Sequence, residues 1–264
     1  MSRILPVAVL LLTVSNPASS LELSDYRIVD LTHPYNAETI YWPTSPSKFE
    51  LTELAYGETP GGWFYSSYSL CTPEHGGTHF DAPIHFSASG APVHDVPLQD
   101  VIAPAVTIDV SAQAAVDPDY LLSLEDVLGF EARHGEIEDG TIVLLRTGWS
   151  GRWPDTAAYM GDDTPGDASG LSFPGYGVAA ARLLVEQRGV AVLGIDTASI
   201  DHGPSKDFAV HVLAAESNVG ALENLAGLDQ LPPTGFTVFA LPIKIEGGSG
   251  APMRAVALVP RESR

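Results

Sequence analysis

The amino-acid sequence predicts a single α/β domain. The chain has 264 residues, of which 45% are hydrophobic and 17% charged, so it can bury a substantial core. Strand patterns dominate its first third, and strand and helix patterns alternate through the rest. No long linker and no repeat of fixed period interrupts this order, which favours one domain with helices packed on a sheet. These patterns leave the order of the strands open.

Three strands are expected near the N-terminus, over residues 26–33, 49–55 and 64–70. A proline-rich stretch, 41–46, separates the first two. The third, with the sequence FYSSYSL, alternates aromatic and polar side chains as a half-buried strand does.

The remainder of the chain mixes both element types. Ser123 and Asp126 have the spacing of a capping box, which predicts a helix that runs to about His134. Residues 149–175 are rich in glycine, aspartate and proline, which predicts a long loop near the mouth of a site. The other expected elements are strands over 105–110, 141–147 and 190–195, helices over 178–188 and 206–215, and final strands over 236–245 and 253–259.

The charge balance excludes some classes of function. The chain has 33 acidic residues against 13 Lys plus Arg, a formal net charge of −20. Such a surface repels phosphates, so a general nucleic-acid binder is not expected. A lone cysteine, Cys71, can form no internal disulfide and rules out a cysteine-based zinc finger.

The first twenty residues have the pattern of a secretory signal peptide. An apolar run over residues 4–14 follows a short positive start, and Ala18 and Ser20 fit a cleavage site. Eleven residues are too few to span a bilayer as a helix. An N-terminal strand or a misassigned start codon is the alternative. We expect residues 1–20 to be removed, residues 21–264 to form the domain, and the protein to be periplasmic or secreted.

Four potential metal ligands occur within residues 75–85, namely His75, His79, Asp81 and His85. All four have odd numbers, so on an extended chain they would share one face. Two strand residues cover roughly 6.6 Å, which suits convergence of His79 and Asp81 on one ion. The outer two histidines can join them only if the chain bends, and Gly76, Gly77 and Pro83 permit bends.

Three histidines and a carboxylate are a ligand set suited to Zn²⁺ or Mn²⁺. A lone histidine is more often a hydrogen-bonded core residue. Four such groups that face each other without a metal, however, would leave buried polar atoms at a considerable cost. The cluster therefore favours a metal site.

Other catalytic motifs have little support. The sequence contains no H-E-x-x-H, no phosphate-binding G-x-x-x-x-G-K-[ST] and no G-x-S-x-G. Residues 175–180 imitate a dinucleotide-binding fingerprint, but Ser172-Phe173-Pro174 stands where a buried strand is required. Those small residues are better explained by close packing of a helix on the sheet.

The run from His75 to His85 reads H-x-G-T-H-x-D-x-P-x-H and resembles the signature of the metal-dependent cyclase family. That family includes bacterial kynurenine formamidases and isatin hydrolases. Residues 30–32, 194–197 and 242–245 are also similar to family segments, so the resemblance covers about residues 25–260. It implies a swivelling β/β/α domain with a mixed sheet and flanking helices, and a homodimer or homotetramer.

The resemblance also assigns roles to residues. It implies that His75, His79 and Asp81 bind a metal ion, and that His85 is the catalytic acid/base. A second ion, where present, shares the aspartate and adds a histidine and a glutamate twelve residues apart.

His211 and Glu223 have that separation, although the spacing alone defines no local geometry. Glu216 is the competing carboxylate. Whether Glu223 is a metal ligand or a second proton carrier stays open at this stage.

The expected function is metal-dependent hydrolysis of a non-peptide C–N bond by metal-activated water. The substrate would be an aryl formamide resembling N-formylkynurenine or a cyclic amide such as isatin. One or two Mn²⁺ or Zn²⁺ ions per subunit are implied. Trp42, Trp63 and Phe64 are candidate walls for a flat aromatic substrate, with core packing as the alternative for each. An exported metal- or ligand-binding protein without turnover and a domain with a purely structural metal are the competing functions.

Overall fold

The strands of the protein form one large sheet and two small ones in the computed structural model, which describes residues 22–261. They are β1 (Tyr26–Asp30), β2 (Glu50–Glu58), β3 (Phe64–Cys71), β4 (His79–Asp81), β5 (Ile102–Asp109), β6 (Leu121–Leu122), β7 (Ile142–Arg146), β8 (Gly175–Tyr176), β9 (Val192–Ile195), β10 (Gly220–Glu223), β11 (Phe236–Pro242) and β12 (Gly250–Pro260).

The helices are mostly short. They are α1 (Leu98–Val101), α2 (Ser111–Ala114), α3 (Leu124–His134), α4 (Thr156–Met160), α5 (Val178–Arg182), which continues as a π turn over Leu183–Gln187, and α6 (Ala209–Glu216). Single 3₁₀ turns cover Leu23–Asp25, Pro83–His85, Val93–Asp95, Trp149–Arg152 and Leu228–Gln230. Within residues 22–261, no helix has the length and apolar character needed to cross a membrane.

The large sheet closes into a barrel. Its strand order is β1-β12-β11-β5-β7-β9-β10-β4, and β4 also pairs with β12, which joins seven strands in a ring. Strands β5, β7, β9 and β10 are parallel to one another, whereas β4, β11 and β12 pair antiparallel with their neighbours. Strand β1 extends the barrel along the edge of β12 that β4 also uses. The predicted α/β domain with a mixed sheet and flanking helices is confirmed.

Alternate residues of the parallel strands face two different hydrophobic clusters. In β7, Ile142 and Leu144 pack in the cluster inside the barrel, whereas Val143 and Leu145 pack in the cluster beneath α3, α5 and α6. Successive strand side chains point to opposite faces, so a strand buried on both faces needs a continuous apolar run. This explains why 141–147 is predictable as a buried strand.

Helix α3 begins at the expected capping box. The hydroxyl of Ser123 accepts from the backbone N–H of Asp126 at 3.1 Å, and the Asp126 carboxylate accepts from the Ser123 N–H at 2.9 Å. The helix ends before Gly135, which has a φ of 95°, a value that favours glycine. The predicted helix is therefore confirmed.

Helix α6 begins at Ala209, three residues after the predicted start at 206. The preceding Phe208 has a left-handed φ of 50°, which is incompatible with a continuing helix. The Asp201 carboxylate accepts from the backbone N–H groups of Val210 and His211, both at 3.0 Å. A distant side chain therefore determines where the helix begins.

The segment 149–175 is more ordered than the predicted loop. It contains a 3₁₀ turn and helix α4 before an irregular stretch. Trp149, Tyr159 and Phe173 from this segment pack with Ile40 in a third hydrophobic cluster. The indole N–H of Trp149 also donates to the Tyr159 carbonyl at 2.8 Å. The prediction of a loop throughout is wrong because aromatic burial stabilises short helical turns here.

Strands β2 and β3 form a hairpin, called here the arm (residues 50–71), whose strands pair only with each other. Strand β3 was expected to be half-buried, but seven of its eight residues are exposed. That expectation is wrong for a single chain, because no other element of residues 22–261 pairs with the arm. Phe64, Tyr68 and Leu70 of β3 lie on one face of the hairpin. Leu51, the cross-strand partner of Leu70, and Tyr56 of β2 lie on the same face. These five residues are called here the apolar face of the arm.

Candidate metal centre

The histidine-rich motif is brought together by two bends on either side of β4. Gly76 and Gly77 have φ values of 148° and 59°, and a Cβ at Gly77 would lie 2.6 Å from the Tyr35 ring. Only glycine fits this path. After β4 the chain turns through the 3₁₀ segment Pro83–His85. Both bends occur where the glycines and proline predict them.

Strand β4 lies between β10 and β12, and this places residues distant in sequence side by side. His79 is the register partner of Glu223, and Asp81 is the partner of Gly250. Helix α6 contributes His211, whose ring is buried beside Asp81. The barrel closure therefore builds the site from β4, β10 and α6.

The first ligand cluster consists of His75, His79 and Asp81. Asp81 Oδ1 lies 2.6 Å from Nδ1 of His75 and 3.0 Å from Nε2 of His79. His79 and Asp81 are buried, and His75 is half-buried. One ligand atom from each side chain lies within 4.8 Å of the others, so the three can reach a single ion.

The second cluster consists of Asp81, His211 and Glu223, all of them buried. Nε2 of His211 lies 3.3 Å from Asp81 Oδ2 and 3.1 Å from Glu223 Oε1. Asp81 therefore has one oxygen in each cluster. The competing carboxylate, Glu216, is exposed at the end of α6. Glu223 lies in the position of a ligand, and its Oε2 is 3.5 Å from Nε2 of His79.

The outer ring nitrogens of the histidines have partners away from the clusters, which leaves the inner nitrogens facing the site where an ion would bind. Nδ1 of His79 donates to the Gly77 carbonyl at 3.0 Å, and Nδ1 of His211 donates to Asp201 at 2.7 Å. The outer nitrogen of His75 lies 2.8 Å from the Ser249 hydroxyl. Such partners orient metal-binding histidines. Asp81 and Glu223 are both buried, and two buried carboxylates beside three histidine nitrogens form a donor set that fits a divalent metal ion.

The close approach of these side chains shifts their pKa values in the metal-free protein. Burial opposes the charged form of Asp81, but the charges of His79 and His75 outweigh it and hold the Asp81 pKa well below its usual range. Burial likewise opposes protonation of His79, yet Asp81 raises the His79 pKa to about 9. Hydrogen bonds to Asp201, Asp81 and Glu223 raise the pKa of His211 in the same way, against burial. In the metal-free protein, protonated His79 and His211 therefore offset part of the negative charge of the buried carboxylates.

His85 is outside both ligand clusters. Its ring stacks on that of His75, with a centroid distance of 3.7 Å and an interplanar angle of 16°. The His85 and His211 ring centroids are 6.3 Å apart. His85 also lines the cavity that contains the clusters. It is therefore placed beside the metal ligands and accessible to a bound molecule.

The cavity has a volume of about 390 Å³. Its apolar walls come from Trp42, Pro46, Pro73, Phe86 and Phe208. Phe86, which follows the histidine motif, and Phe208, which precedes α6, pack against each other in this wall, with ring centroids 5.5 Å apart. A pocket of this size with aromatic walls suits a small flat molecule.

Of the three expected aromatic walls, the structure places only Trp42 at the cavity. Trp63 and Phe64 lie on the arm, with 62% and 58% of their surfaces exposed, and neither lines the cavity. The arm pairs with no strand of the barrel, which is why these two residues do not line the cavity of their own chain. Phe86, which directly follows the motif, is a wall that sequence adjacency to His85 could have identified.

Two further polar residues were not identified from the sequence. Asp201 orients His211, and Ser249 lies between His75 and Glu74, donating to the Glu74 carboxylate at 2.6 Å. Ser249 is 174 residues from His75 along the chain, and Asp201 lies in the loop before α6, ten residues from His211, so no local pattern marks them. Barrel closure brings Ser249 to the site, whereas the start of α6 brings Asp201 to His211.

Comparison with known proteins agrees with this geometry. Residues 29–202 match the family described as putative cyclase. The chain is 36% identical over 263 residues to isatin hydrolase of Roseibium aggregatum, with 94% of this chain and 97% of that protein covered. Kynurenine formamidase of Salinibacter ruber is 28% identical, with 87% and 96% covered.

Among solved structures, isatin hydrolase A from Ralstonia solanacearum superposes with a TM-score of 0.80 at 35% identity. The alignment covers 89% of this chain and 93% of that one. The sequence match and the shared fold extend over both the barrel and the ligand clusters. The chain therefore belongs to the cyclase family.

Proposed function

We propose that the protein hydrolyses a neutral, flat, cyclic aromatic amide of the isatin type. The reaction class, metal-dependent hydrolysis of a non-peptide C–N bond, follows from family membership and from the two ligand clusters. The substrate is proposed from the cavity. Aromatic side chains and prolines form its apolar walls, and no lysine or arginine lines it among the described residues.

The lack of a lysine or arginine in that lining separates the two candidate substrates. N-formylkynurenine carries an amino-acid carboxylate, which proteins usually bind with arginine or lysine. Isatin carries no such charge and needs only a flat apolar slot beside the metal ligands. The cavity chemistry therefore favours the cyclic amide over the aryl formamide.

The residues divide the work of the reaction as follows. A divalent ion, which we propose to be Mn²⁺ or Zn²⁺ in one or two copies, would activate water and polarise the scissile carbonyl. Asp81 bridges the two clusters, and Glu223 acts as a ligand. His85 takes the proton from the attacking water and returns it to the leaving nitrogen. Trp42 and Phe86 stack against the ring of the substrate.

The test is a comparison of kcat/KM for isatin, N-formylkynurenine and a small cyclic imide, with protein loaded with Mn²⁺ or Zn²⁺. We expect isatin to be the best of the three, and Trp42→Ala to raise its KM, whereas Trp63→Ala should not. A higher kcat/KM for N-formylkynurenine would contradict the substrate assignment. Metal and ligand binding without turnover of any compound would instead indicate a binding protein on the same scaffold.

We also propose export of the protein. Residues 1–20 lie outside the described residues, so support comes from the sequence pattern alone. Expression of the full chain should give a periplasmic or secreted product with a new N-terminus near Leu21. Intact-mass measurement that finds residues 1–20 still attached to the exported protein would contradict this.

A homo-oligomer that buries the arm is proposed as the assembly. The exposed fractions of Leu51, Tyr56, Phe64, Tyr68 and Leu70 are 44–65%, and apolar faces of this kind mark interaction sites. An isolated two-stranded hairpin is also marginally stable in water, so the arm needs a packing partner. A second copy of the chain provides the same apolar face and can form a two-fold interface.

Light scattering during gel filtration tests this assembly. Replacing the cross-strand pair Leu51 and Leu70 by serine should shift the homodimer or homotetramer towards monomer. The matched control replaces Thr52 and Ser69, a pair on the opposite face, by alanine and should leave the mass unchanged. A wild-type protein that is monomeric at micromolar concentration would contradict the proposal.

A further inference from the structure

Asn224 occupies an unusual backbone position directly after Glu223 at the end of β10. Its φ is 53°, and it is one of three non-glycine residues with positive φ among residues 22–261. Asparagine tolerates this region better than most residues. Asn224 is also 3% exposed, so every polar atom that it carries needs a partner inside the protein.

The side chain of Asn224 has a defined orientation. Its Nδ2 donates to the Gly77 carbonyl at 2.8 Å, and its Oδ1 lies 3.0 Å from the Tyr159 hydroxyl, which can donate to it. A carbonyl can only accept, so the reversed amide would place two oxygens against each other at Gly77. The partners therefore fix which end of the amide faces the metal centre.

The Gly77 carbonyl is shared with a metal ligand. It also accepts from Nδ1 of His79 at 3.0 Å, so one oxygen joins Asn224 to His79. A second link runs through Thr78, whose hydroxyl donates to the backbone carbonyl of Asn224 at 2.6 Å. Gly77 itself has a φ of 59°, and the Asn224 amide is one of the groups that hold its carbonyl in place.

We propose that Asn224 is a positioning residue that sets the affinity of the centre for its divalent cation. By holding the Gly77 carbonyl, Asn224 fixes the acceptor of the Nδ1–H of His79. The His79 ring is then held with Nε2 turned towards Asp81, 3.0 Å away, where the two side chains can share an ion. Partners of this kind typically change metal affinity by roughly 10–100-fold when they are removed.

The experiment compares two Asn→Asp substitutions at positive φ. Asn224→Asp keeps the acceptor for Tyr159 and loses the donor to Gly77. Asn218→Asp is the matched control, because Asn218 has a φ of 59° and its Oδ1 accepts from Ala91 N–H at 2.9 Å, outside the metal centre. Metal-free protein is titrated with Zn²⁺ or Mn²⁺ against a competing chelator. Asn224→Asp should raise the Kd by roughly 10–100-fold, and Asn218→Asp should leave it unchanged.

A second variant shows whether the lost donor or the new buried carboxylate changes the metal affinity. Asn224→Gly accepts the φ of 53° without strain, introduces no carboxylate and also lacks the donor, so it should weaken metal binding to a similar extent. The thermal unfolding midpoint of each metal-free variant is measured in parallel. Wild-type Kd in folded Asn224→Gly, with or without a lower midpoint, would reduce Asn224 to a structural residue and overturn the proposal. A wild-type protein that binds neither ion would overturn it as well.

Discussion

At the scale of single residues, two stacked histidines at the site have different expected tasks. His75 lies 2.6 Å from Asp81, whereas His85 stacks on the ring of His75 and belongs to neither ligand cluster. His85→Ala should therefore keep the metal and lose turnover by roughly 10²–10⁴-fold, the usual contribution of a general acid/base.

Metal content by elemental analysis and kcat for the best substrate check this. His79→Ala is the comparison, because removal of a ligand should abolish metal binding at the first cluster in addition to turnover. Near-normal turnover in His85→Ala would transfer the role of base to Glu223. Loss of the metal in His85→Ala would make that residue a ligand.

A second prediction at this scale concerns Asp201. Its Oδ2 accepts from the backbone N–H and from the ring Nδ1–H of His211, and its Oδ1 accepts from the Val210 N–H. Asp201→Asn turns one end of this acceptor into a donor, so His211 loses its orientation. Metal titration should show roughly 10–100-fold weaker binding. Asp207→Asn, at an exposed neighbouring position, is the control. Equal affinities in the two variants would exclude the orienting role.

At the scale of elements, helix α3 offers a test of its capping box. Ser123→Ala removes the acceptor for the Asp126 N–H and should lower the free energy of unfolding by about 1 kcal/mol at pH 7. Burial opposes ionisation of Asp126, but hydrogen bonds from Ser123 and Tyr120 outweigh it and lower the Asp126 pKa. A lowered carboxyl pKa stabilises the fold above the unfolded-state value, about 3.9, and that stabilisation is lost as the pH falls.

Urea denaturation of wild type and Ser123→Ala at several pH values measures this. The difference should be largest near pH 7 and shrink below about pH 4. Gly129→Ala in the same helix is a control with the opposite sign. Its added Cβ meets only Arg133, at 3.7 Å, so it should raise stability by roughly 0.5–1 kcal/mol. A pH-independent cost for Ser123→Ala would contradict the contribution of the Asp126 carboxylate.

Elements with a strong local signal were the predictable ones. The capping box located α3, and the apolar run located β7, because each depends on side chains that are neighbours in sequence. The start of α6 was misplaced because the group that caps it, Asp201, lies outside the helix. The two strands of the arm were predictable, but their exposure was not, since alternation of side chains does not reveal whether any element covers the apolar side.

At the scale of the whole molecule, barrel closure decides what the site contains. The ligands His75, His79 and Asp81 could be predicted because they are close in sequence. Glu223 could be matched over Glu216 only through the twelve-residue separation from His211 that the family resemblance implies, and the pairing of β10 with β4 is what makes it the register partner of His79. The contact of Ser249 with His75, 174 residues apart in the chain, also depends on the three-dimensional fold, which no local pattern encodes.

Because the ligands come from β4, β10 and α6, metal binding should stabilise the entire fold. An ion that binds only the folded state adds RT ln(1 + [L]/Kd), about 2.7 kcal/mol when the free ion is at 100 times its Kd. Without the ion, Asp81 and Glu223 both approach His211 within 3.3 Å in a buried space, and this charge cluster loses its main cation. Chelation should therefore lower the thermal unfolding midpoint, and added Zn²⁺ or Mn²⁺ should restore it.

The control for this last prediction is Asp81→Asn, which removes the carboxylate that belongs to both clusters. Its unfolding midpoint should be the same with chelator and with added metal. Surface effects of the ion on a chain with a net charge of −20 would instead shift wild type and variant equally. An equal shift would show that the stabilisation arises outside the two clusters. A shift confined to wild type would tie the stability of the barrel to the same ion that the reaction requires.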